Sequence, residues 1–94
     1  MDKPDFWNVD VKSLTPAELG ELIRNLEHSS YPEKLLEARR EVVQRLRDRG
    51  ADTRIIVKTL LANIYGKRAR QRVAKKWAEV LGIDEKEIMR IYET

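Results

Sequence analysis

The stretch "GKRARQRVAKKWAEVLGIDEKEIMRIY", residues 66–92, decides the fold, because two glycines divide a strongly helical pattern in it. Gly66 and Gly82 are the natural breaks, since glycine adopts the backbone conformations that end helices without a steric penalty. Between them, apolar residues recur with the spacing of one helical face. Gly66 is predicted to separate a third helix from a fourth. The alternative is that these two form one continuous helix, because apolar residues keep helical spacing across Gly66 as well.

Helix start signals lie on both sides of the chain's middle. Thr15 with Glu18, and Asp84 with Glu87, have the spacing of capping boxes, in which each side chain accepts a hydrogen bond from the other residue's backbone N–H. Together with the proline and glycine positions, these signals predict five helices, over 15–28, 32–49, 53–65, 67–81 and 85–92. The predicted fold class is all-α: a single compact bundle of four or five short helices, forming one domain over 1–94.

An extended arm, residues 1–12, is predicted before the first helix, with Phe6 or Trp7 anchored in the core. The buried faces of the first three helices are then predicted from their spacing. They comprise Leu19, Leu22, Ile23 and Leu26, then Leu35, Leu36, Val42, Val43 and Leu46, then Ile55, Ile56, Val57, Leu60, Leu61 and Ile64. In the fourth helix, the residues predicted to face the core are Ala69, Val73, Trp77 and Val80.

Composition excludes several classes of protein. The 94 residues include no cysteine, which rules out disulfides and cysteine-ligated zinc. The longest aliphatic run, Ile55 to Val57, is far shorter than the ~20 residues that span a bilayer, so no membrane association is expected. The acidic, polar start of the chain carries no signal peptide pattern. We therefore expect a cytoplasmic protein.

The charges are distributed unevenly along the chain. Residues 1–38 carry 4 basic and 8 acidic side chains, net −4, and residues 77–94 carry 2 basic and 5 acidic, net −3. Between them, residues 39–76 carry 13 basic and 3 acidic side chains, net +10. A basic middle between acidic ends indicates a polyanionic or acidic partner.

The basic residues of the fourth helix fall on one side of it. At about 100° per residue, Arg68, Arg72, Lys75 and Lys76 share a face, and Lys67 and Arg70 flank it. The second helix adds further cations. The complete set of predicted phosphate-binding residues is Lys67, Arg68, Arg70, Arg72, Lys75, Lys76, Arg39, Arg40, Arg47 and Arg49.

The segment from about residue 74 to 92 resembles the helix-turn-helix of phage repressors and Cro-like proteins. Ala78 is the small residue of the first helix, Gly82 stands at the turn, and the apolar positions of the second helix are Ile88 and either Ile91 or Tyr92. The resemblance implies DNA binding, with the early residues of the second helix in the major groove. In this chain those residues are Asp84, Glu85, Lys86 and Glu87. Three acids in this position disfavour base reading, so contact with the phosphate backbone through the basic helix face is favoured over reading of a sequence by this corner.

Residues typical of catalysis are sparse. His28, the one histidine, is predicted to cap the end of the first helix, and no second histidine shares a metal with it. The "GKR" at 66–68 lacks the upstream glycine and the Ser or Thr of a phosphate loop. The sequence therefore predicts no enzyme, no metal site and no cofactor.

Two functions remain. The first is a small nucleic-acid-binding protein, a regulator or accessory factor, that contacts the phosphate backbone of its partner, with duplex DNA as the expected nucleic acid. The alternative is a helical module that docks an acidic protein or forms a homodimer. The tryptophans and tyrosines are candidates for stacking on bases, although the position of Trp77 on an apolar face favours the core.

Overall fold

The structure, a computed structural model, describes residues 9–94, which contain five α-helices and no strand. A 3-10 helix (Val11–Ser13) comes first. The α-helices are α1 (Pro16–Glu27), α2 (Pro32–Asp48), α3 (Thr53–Leu61), α4 (Lys67–Leu81) and α5 (Glu85–Glu93). The all-α prediction is confirmed, and the third and fourth helices are separate.

Backbone contacts divide the chain into two compact units, one ending at Val42 and the other comprising Val43–Thr94. The division falls within α2, and each unit has its own apolar core. The single domain expected over 1–94 stays a prediction, and the two units are described separately below.

The core of the first unit forms where α1, α2 and the 3-10 helix meet. Its buried residues are Val11, Leu19, Leu22, Leu26 and Ala38. Residues 11 and 12 were expected in an extended arm but belong to the 3-10 helix, because Asp10 caps it by accepting a hydrogen bond from the Lys12 N–H (3.2 Å). The predicted anchors Phe6 and Trp7 lie outside the described residues.

The capping box of α1 is present as predicted. The Glu18 N–H donates to Thr15 Oγ1 (3.2 Å), and the Thr15 N–H donates to Glu18 Oε1 (2.9 Å). The second bond lowers the pKa of the Glu18 carboxyl, because it favours the charged form. A carboxyl with a lowered pKa stabilises the fold above its unfolded pKa, and this contribution is lost as the pH falls through the folded value. At the other end of α1, His28 is the C-cap residue, as predicted.

Removing the Thr15 hydroxyl should measure the contribution of this cap. Thr15→Ala leaves the Glu18 N–H without its acceptor, and such substitutions lower the free energy of unfolding by about 0.5–2 kcal/mol. Thr15→Ser keeps the oxygen and should change stability by less than Thr15→Ala. Urea denaturation followed by circular dichroism gives both values. Equal stability of Thr15→Ala and the wild type would contradict a stabilising cap.

The second unit packs α3, α4 and α5 against one another in all three pairs. Its buried core residues are Val43, Ile56, Val57, Leu61, Ala74, Leu81, Ile88 and Met89. Before α3, the chain leaves α2 through Gly50, which has a φ of 90°. There the Gly50 N–H donates to Arg47 O and the Ala51 N–H donates to Leu46 O, the bond pair of a Schellman motif. This confirms Gly50 as the predicted end signal of α2.

Helix α3 differs from its prediction in length and in its buried face. It ends at Leu61 instead of residue 65, because the Ala62 N–H donates to Thr59 O and the Ile64 N–H to Leu61 O. These three-residue spacings tighten the chain into a turn and end the α-helix. Ile55, predicted to be buried, is 51% exposed, whereas Ile56 and Val57 are fully buried.

Candidate nucleic-acid interface

Helix α4 begins where Gly66 turns the chain out of the loop that follows α3. Gly66 has a φ of 94°, in the region that side-chain-bearing residues rarely adopt. No side chain caps this helix start, and its first turn contains no acidic residue. The positive end of the helix dipole therefore adds to the charge of Lys67 and Arg68 instead of being compensated locally.

The faces of α4 separate largely as its spacing predicts: Val73, Trp77 and Val80 pack on the core, whereas the fourth predicted residue, Ala69, is only partly buried. Ala74 and Leu81 are buried, and the partly buried residues packed on the core are Val73, Trp77, Ala78 and Val80. The exposed cations of the helix are Lys67, Arg68, Arg72, Lys75 and Lys76. Five of the ten predicted phosphate-binding residues are thus exposed side chains of one helix.

Three of these cations meet at a concave surface between α4 and the start of α5. This depression has a volume of about 500 Å³ and is open to solvent. Its lining residues are Arg68, Gln71, Arg72, Lys75 and Glu85. Arg68, Arg72 and Lys75 form no salt bridge with any side chain in residues 9–94. We call this surface the α4 depression.

The charge of the α4 depression is mixed but predominantly positive. Three cations face one carboxylate, that of Glu85, which lies in the first turn of α5 where the helix dipole favours an acid. Gln71 adds an uncharged amide with both donor and acceptor atoms. The depression therefore combines positive charge with neutral hydrogen-bonding capacity.

Arg70 lies apart from the exposed cations with which the sequence grouped it. Its Nη1 donates to Ile64 O (3.3 Å), and its guanidinium carbon lies 5.4 Å from the centre of the Tyr92 ring. These contacts fasten the α3–α4 loop and α5 to the first turn of α4, and a cation over an aromatic face is itself stabilising. Arg70 therefore stabilises the second unit and is not part of the α4 depression.

The cations predicted on the second helix are dispersed. In the first unit, Arg39 is mostly buried and pairs with Glu27 (3.2 Å), which makes it a link between α2 and α1. Arg40 is exposed in the same unit. Arg47 and Arg49 belong to the second unit and are exposed near the C-terminal end of α2. None of these four residues lines the α4 depression.

The corner between α4 and α5 is formed by residues 82–84. Gly82 has left-handed backbone angles (φ 73°, ψ 19°), and its N–H donates to Ala78 O at 2.9 Å. Asp84 then caps α5 by accepting a hydrogen bond from the Glu87 N–H at 2.8 Å. Ile88 is buried beyond the corner. The residues that carry the helix-turn-helix resemblance thus lie in one packed corner.

The second predicted capping box is only half formed. The Glu87 carboxylate does not return to the Asp84 backbone but accepts hydrogen bonds from Arg90, including Nε to Oε2 at 2.9 Å. These bonds lower the pKa of Glu87 and raise that of Arg90. The Arg90 contact therefore favours the charged form of Glu87, and Asp84 and Glu85 add two further acidic side chains at the start of α5.

One exposed aromatic residue was predicted from the sequence only as one of the tyrosines that are candidates for stacking on bases. Tyr65 is 85% exposed and lies in the α3–α4 loop, two residues before Lys67. The predicted third helix, 53–65, included it as the last residue, and the early end of α3 at Leu61 places it in a loop. Its proximity to Gly66 in the sequence is the signal that could have identified it.

Other kinds of site are not found in the part of the chain that the structure describes. Residues 9–94 contain no group of three or more His, Cys, Asp or Glu side chains placed to hold a metal ion. None of the five α-helices has the length and apolar character needed to cross a membrane.

Comparisons with protein-family models, with curated protein sequences and with solved structures find no match to this chain.

Proposed function

We propose that this protein binds nucleic acid by contacting phosphates with the exposed cations of α4. The observation that carries the proposal is the α4 depression, where Arg68, Arg72 and Lys75 line one concave surface with no salt-bridge partner among residues 9–94. Arginine suits phosphate because its planar guanidinium can donate two parallel hydrogen bonds. A phosphate bound there also releases the counterions condensed around it, which favours binding without regard to sequence.

The acidic residues at the start of α5 disfavour base reading by the corner between α4 and α5. A recognition helix places its first residues against base edges in the major groove. Here those residues include Asp84, Glu85 and Glu87, of which Asp84 caps α5 by accepting a hydrogen bond from the Glu87 N–H and Glu87 pairs with Arg90. Anionic side chains between two phosphate backbones are unfavourable. We therefore propose that α4 contacts the phosphate backbone of the nucleic acid. Helix α5 then positions α4 by packing against it in the core of the second unit.

An acidic protein is the rival partner, because a cationic surface attracts carboxylates as well as phosphates. The two differ in charge density: a DNA duplex carries one negative charge per ~1.7 Å of its axis. A duplex should therefore compete better for α4 than a carboxylate polymer of equal total charge.

The salt dependence of duplex binding tests the proposal. The five exposed cations of α4 allow about four to five phosphate contacts, so the logarithm of the association constant should fall with the logarithm of salt concentration at a slope of about −3.6 to −4.5. Fluorescence anisotropy of a labelled duplex between about 50 and 200 mM salt measures that slope. Absence of binding at 50 mM salt to both the duplex and a single strand of equal length would refute the proposal. Stronger binding of polyglutamate than of the duplex would favour the acidic-protein alternative.

A further inference from the structure

Tyr65 has the properties of a platform for an unpaired base. Its side chain is 85% exposed in the loop between α3 and α4, immediately before Gly66. A single exposed aromatic residue is ordinary on a protein surface and needs no explanation by itself. The feature that indicates a function for Tyr65 is its position next to the cations of α4.

The backbone holds Tyr65 close to the positive end of α4. Consecutive Cα atoms are 3.8 Å apart, so the Cα atoms of Tyr65 and Lys67 are separated by at most about 7.6 Å. Arg68, which lines the α4 depression, follows one residue later. An aromatic face beside a line of cations is the arrangement by which proteins hold single strands: the cations contact phosphates and the ring stacks on a base.

The other described aromatic side chains are not in this position. Trp77 and Tyr92 pack against the core of the second unit, and the Tyr92 ring also faces the Arg70 guanidinium. Tyr31 packs against the core of the first unit. Among the aromatic residues within 9–94, Tyr65 is the exposed one, and it is next to the cationic helix.

We infer that the nucleic acid bound along α4 contains unpaired bases and that Tyr65 stacks on one of them. The inference rests on the proposed function and narrows it to a single strand, or to a single-stranded part of a larger nucleic acid. In an intact duplex each base is already stacked between its neighbours, so the Tyr65 ring gains nothing from it. A single strand can present an unstacked base to Tyr65 while its phosphates contact Arg68 and the cations that follow.

The test compares two strands that carry the same phosphates and differ in their bases. One is a labelled oligothymidylate, and the other is an abasic strand of equal length. The wild type should bind the oligothymidylate more tightly. Tyr65→Ala should weaken oligothymidylate binding by about 5- to 150-fold, the range expected for loss of one base–aromatic stack, and should change abasic-strand binding by less than about twofold. A parallel measurement with an oligouridylate of the same length shows whether the protein accepts the 2′-hydroxyl of ribose.

Tyr65→Phe is the matched control, because it keeps the ring and removes only the hydroxyl. It should bind oligothymidylate within about twofold of the wild type, and its salt slope should equal that of Tyr65→Ala since neither variant loses a phosphate contact. Circular dichroism should show the wild-type helical content in both variants, as the side chain is exposed.

The failure of this inference is distinct from failure of the proposed function. If the wild type binds neither strand nor a duplex at 50 mM salt, both are overturned. If the wild type binds nucleic acid and Tyr65→Ala binds oligothymidylate as tightly as the wild type, only the stacking role of Tyr65 is overturned. Equal weakening of both strands by Tyr65→Ala would also overturn it, because the loss would not depend on a base.

Discussion

Replacing Arg68, Arg72 and Lys75 together by glutamine should weaken nucleic-acid binding by about 100- to 500-fold at 0.1 M salt. Each lost phosphate contact removes about 0.7 from the salt slope for a single strand and about 0.9 for a duplex. Three lost contacts therefore reduce the association constant at 0.1 M by roughly 10^2.1 and 10^2.7, if the affinity extrapolated to 1 M salt is unchanged. The fall in the slope itself, by about two to three, is the more specific result.

The fold should survive this triple substitution. All three side chains are exposed, and glutamine has nearly the helix propensity of arginine and lysine. Circular dichroism and the midpoint of urea unfolding check that expectation before binding is compared.

A triple variant of matched charge shows whether the position of the cations matters. Arg24→Gln, Arg40→Gln and Lys58→Gln remove three exposed cations from α1, α2 and α3. This control should keep most of the affinity and of the salt slope. Similar losses in both triple variants would mean that binding follows net charge alone, which would contradict a site on α4. It would also support the prediction that Arg40 contributes to phosphate binding.

Helix ends marked by a capping box or a glycine were the most predictable part of the fold, because they depend on neighbouring residues. The end of α3, which no such signal marks, was predicted at residue 65, four residues after its observed end at Leu61. The Thr15 capping box and the left-handed Gly82 involve residues within a few positions of each other. Glycine at a positive φ is favoured by local sterics, whatever the remainder of the protein does. The separation of α3 from α4 at Gly66 follows the same logic.

The roles of individual cations were less predictable, because they depend on contacts across the fold. Arg70 and Arg72 are two residues apart and chemically identical. Arg70 reaches Ile64 O and the Tyr92 ring, whereas Arg72 lines the α4 depression. The Tyr92 contact joins residues 22 positions apart, which helical spacing within α4 does not encode. Helical spacing placed Arg70 beside the cationic face but did not identify its partner.

The half-formed cap at Asp84 has a similar cause. The spacing of Asp84 and Glu87 fits a capping box, but it is equally compatible with the structure, where Glu87 pairs with Arg90 one turn later. An ionised carboxylate gains more from a guanidinium with two donors than from one backbone N–H. Arg90, the competing partner, can be read from the sequence, but the capping-box spacing takes account only of Asp84 and Glu87.

Adjacent isoleucines of α3 provide the sharpest test of the second unit's core. Ile56→Ala should lower the free energy of unfolding by about 2–5 kcal/mol, because Ile56 is fully buried and the truncation leaves a cavity among close-packed neighbours. A loss of this size is a large part of the roughly 5–15 kcal/mol that stabilises a typical domain. Chemical denaturation followed by circular dichroism measures it, provided that the slope with denaturant is unchanged.

Ile55→Ala is the control, because it removes the same atoms one residue earlier in the same helix. The Ile55 side chain is 51% exposed, so less apolar surface returns to water on truncation and no closed cavity forms. Its loss should stay below about 1 kcal/mol, and alanine's higher helix propensity offsets part of it. Helical spacing alone assigned both isoleucines to the core, so equal losses would support that assignment and contradict the orientation of α3. A loss confined to Ile56→Ala would establish which face of α3 packs against α4 and α5, and therefore how the core positions the cationic helix.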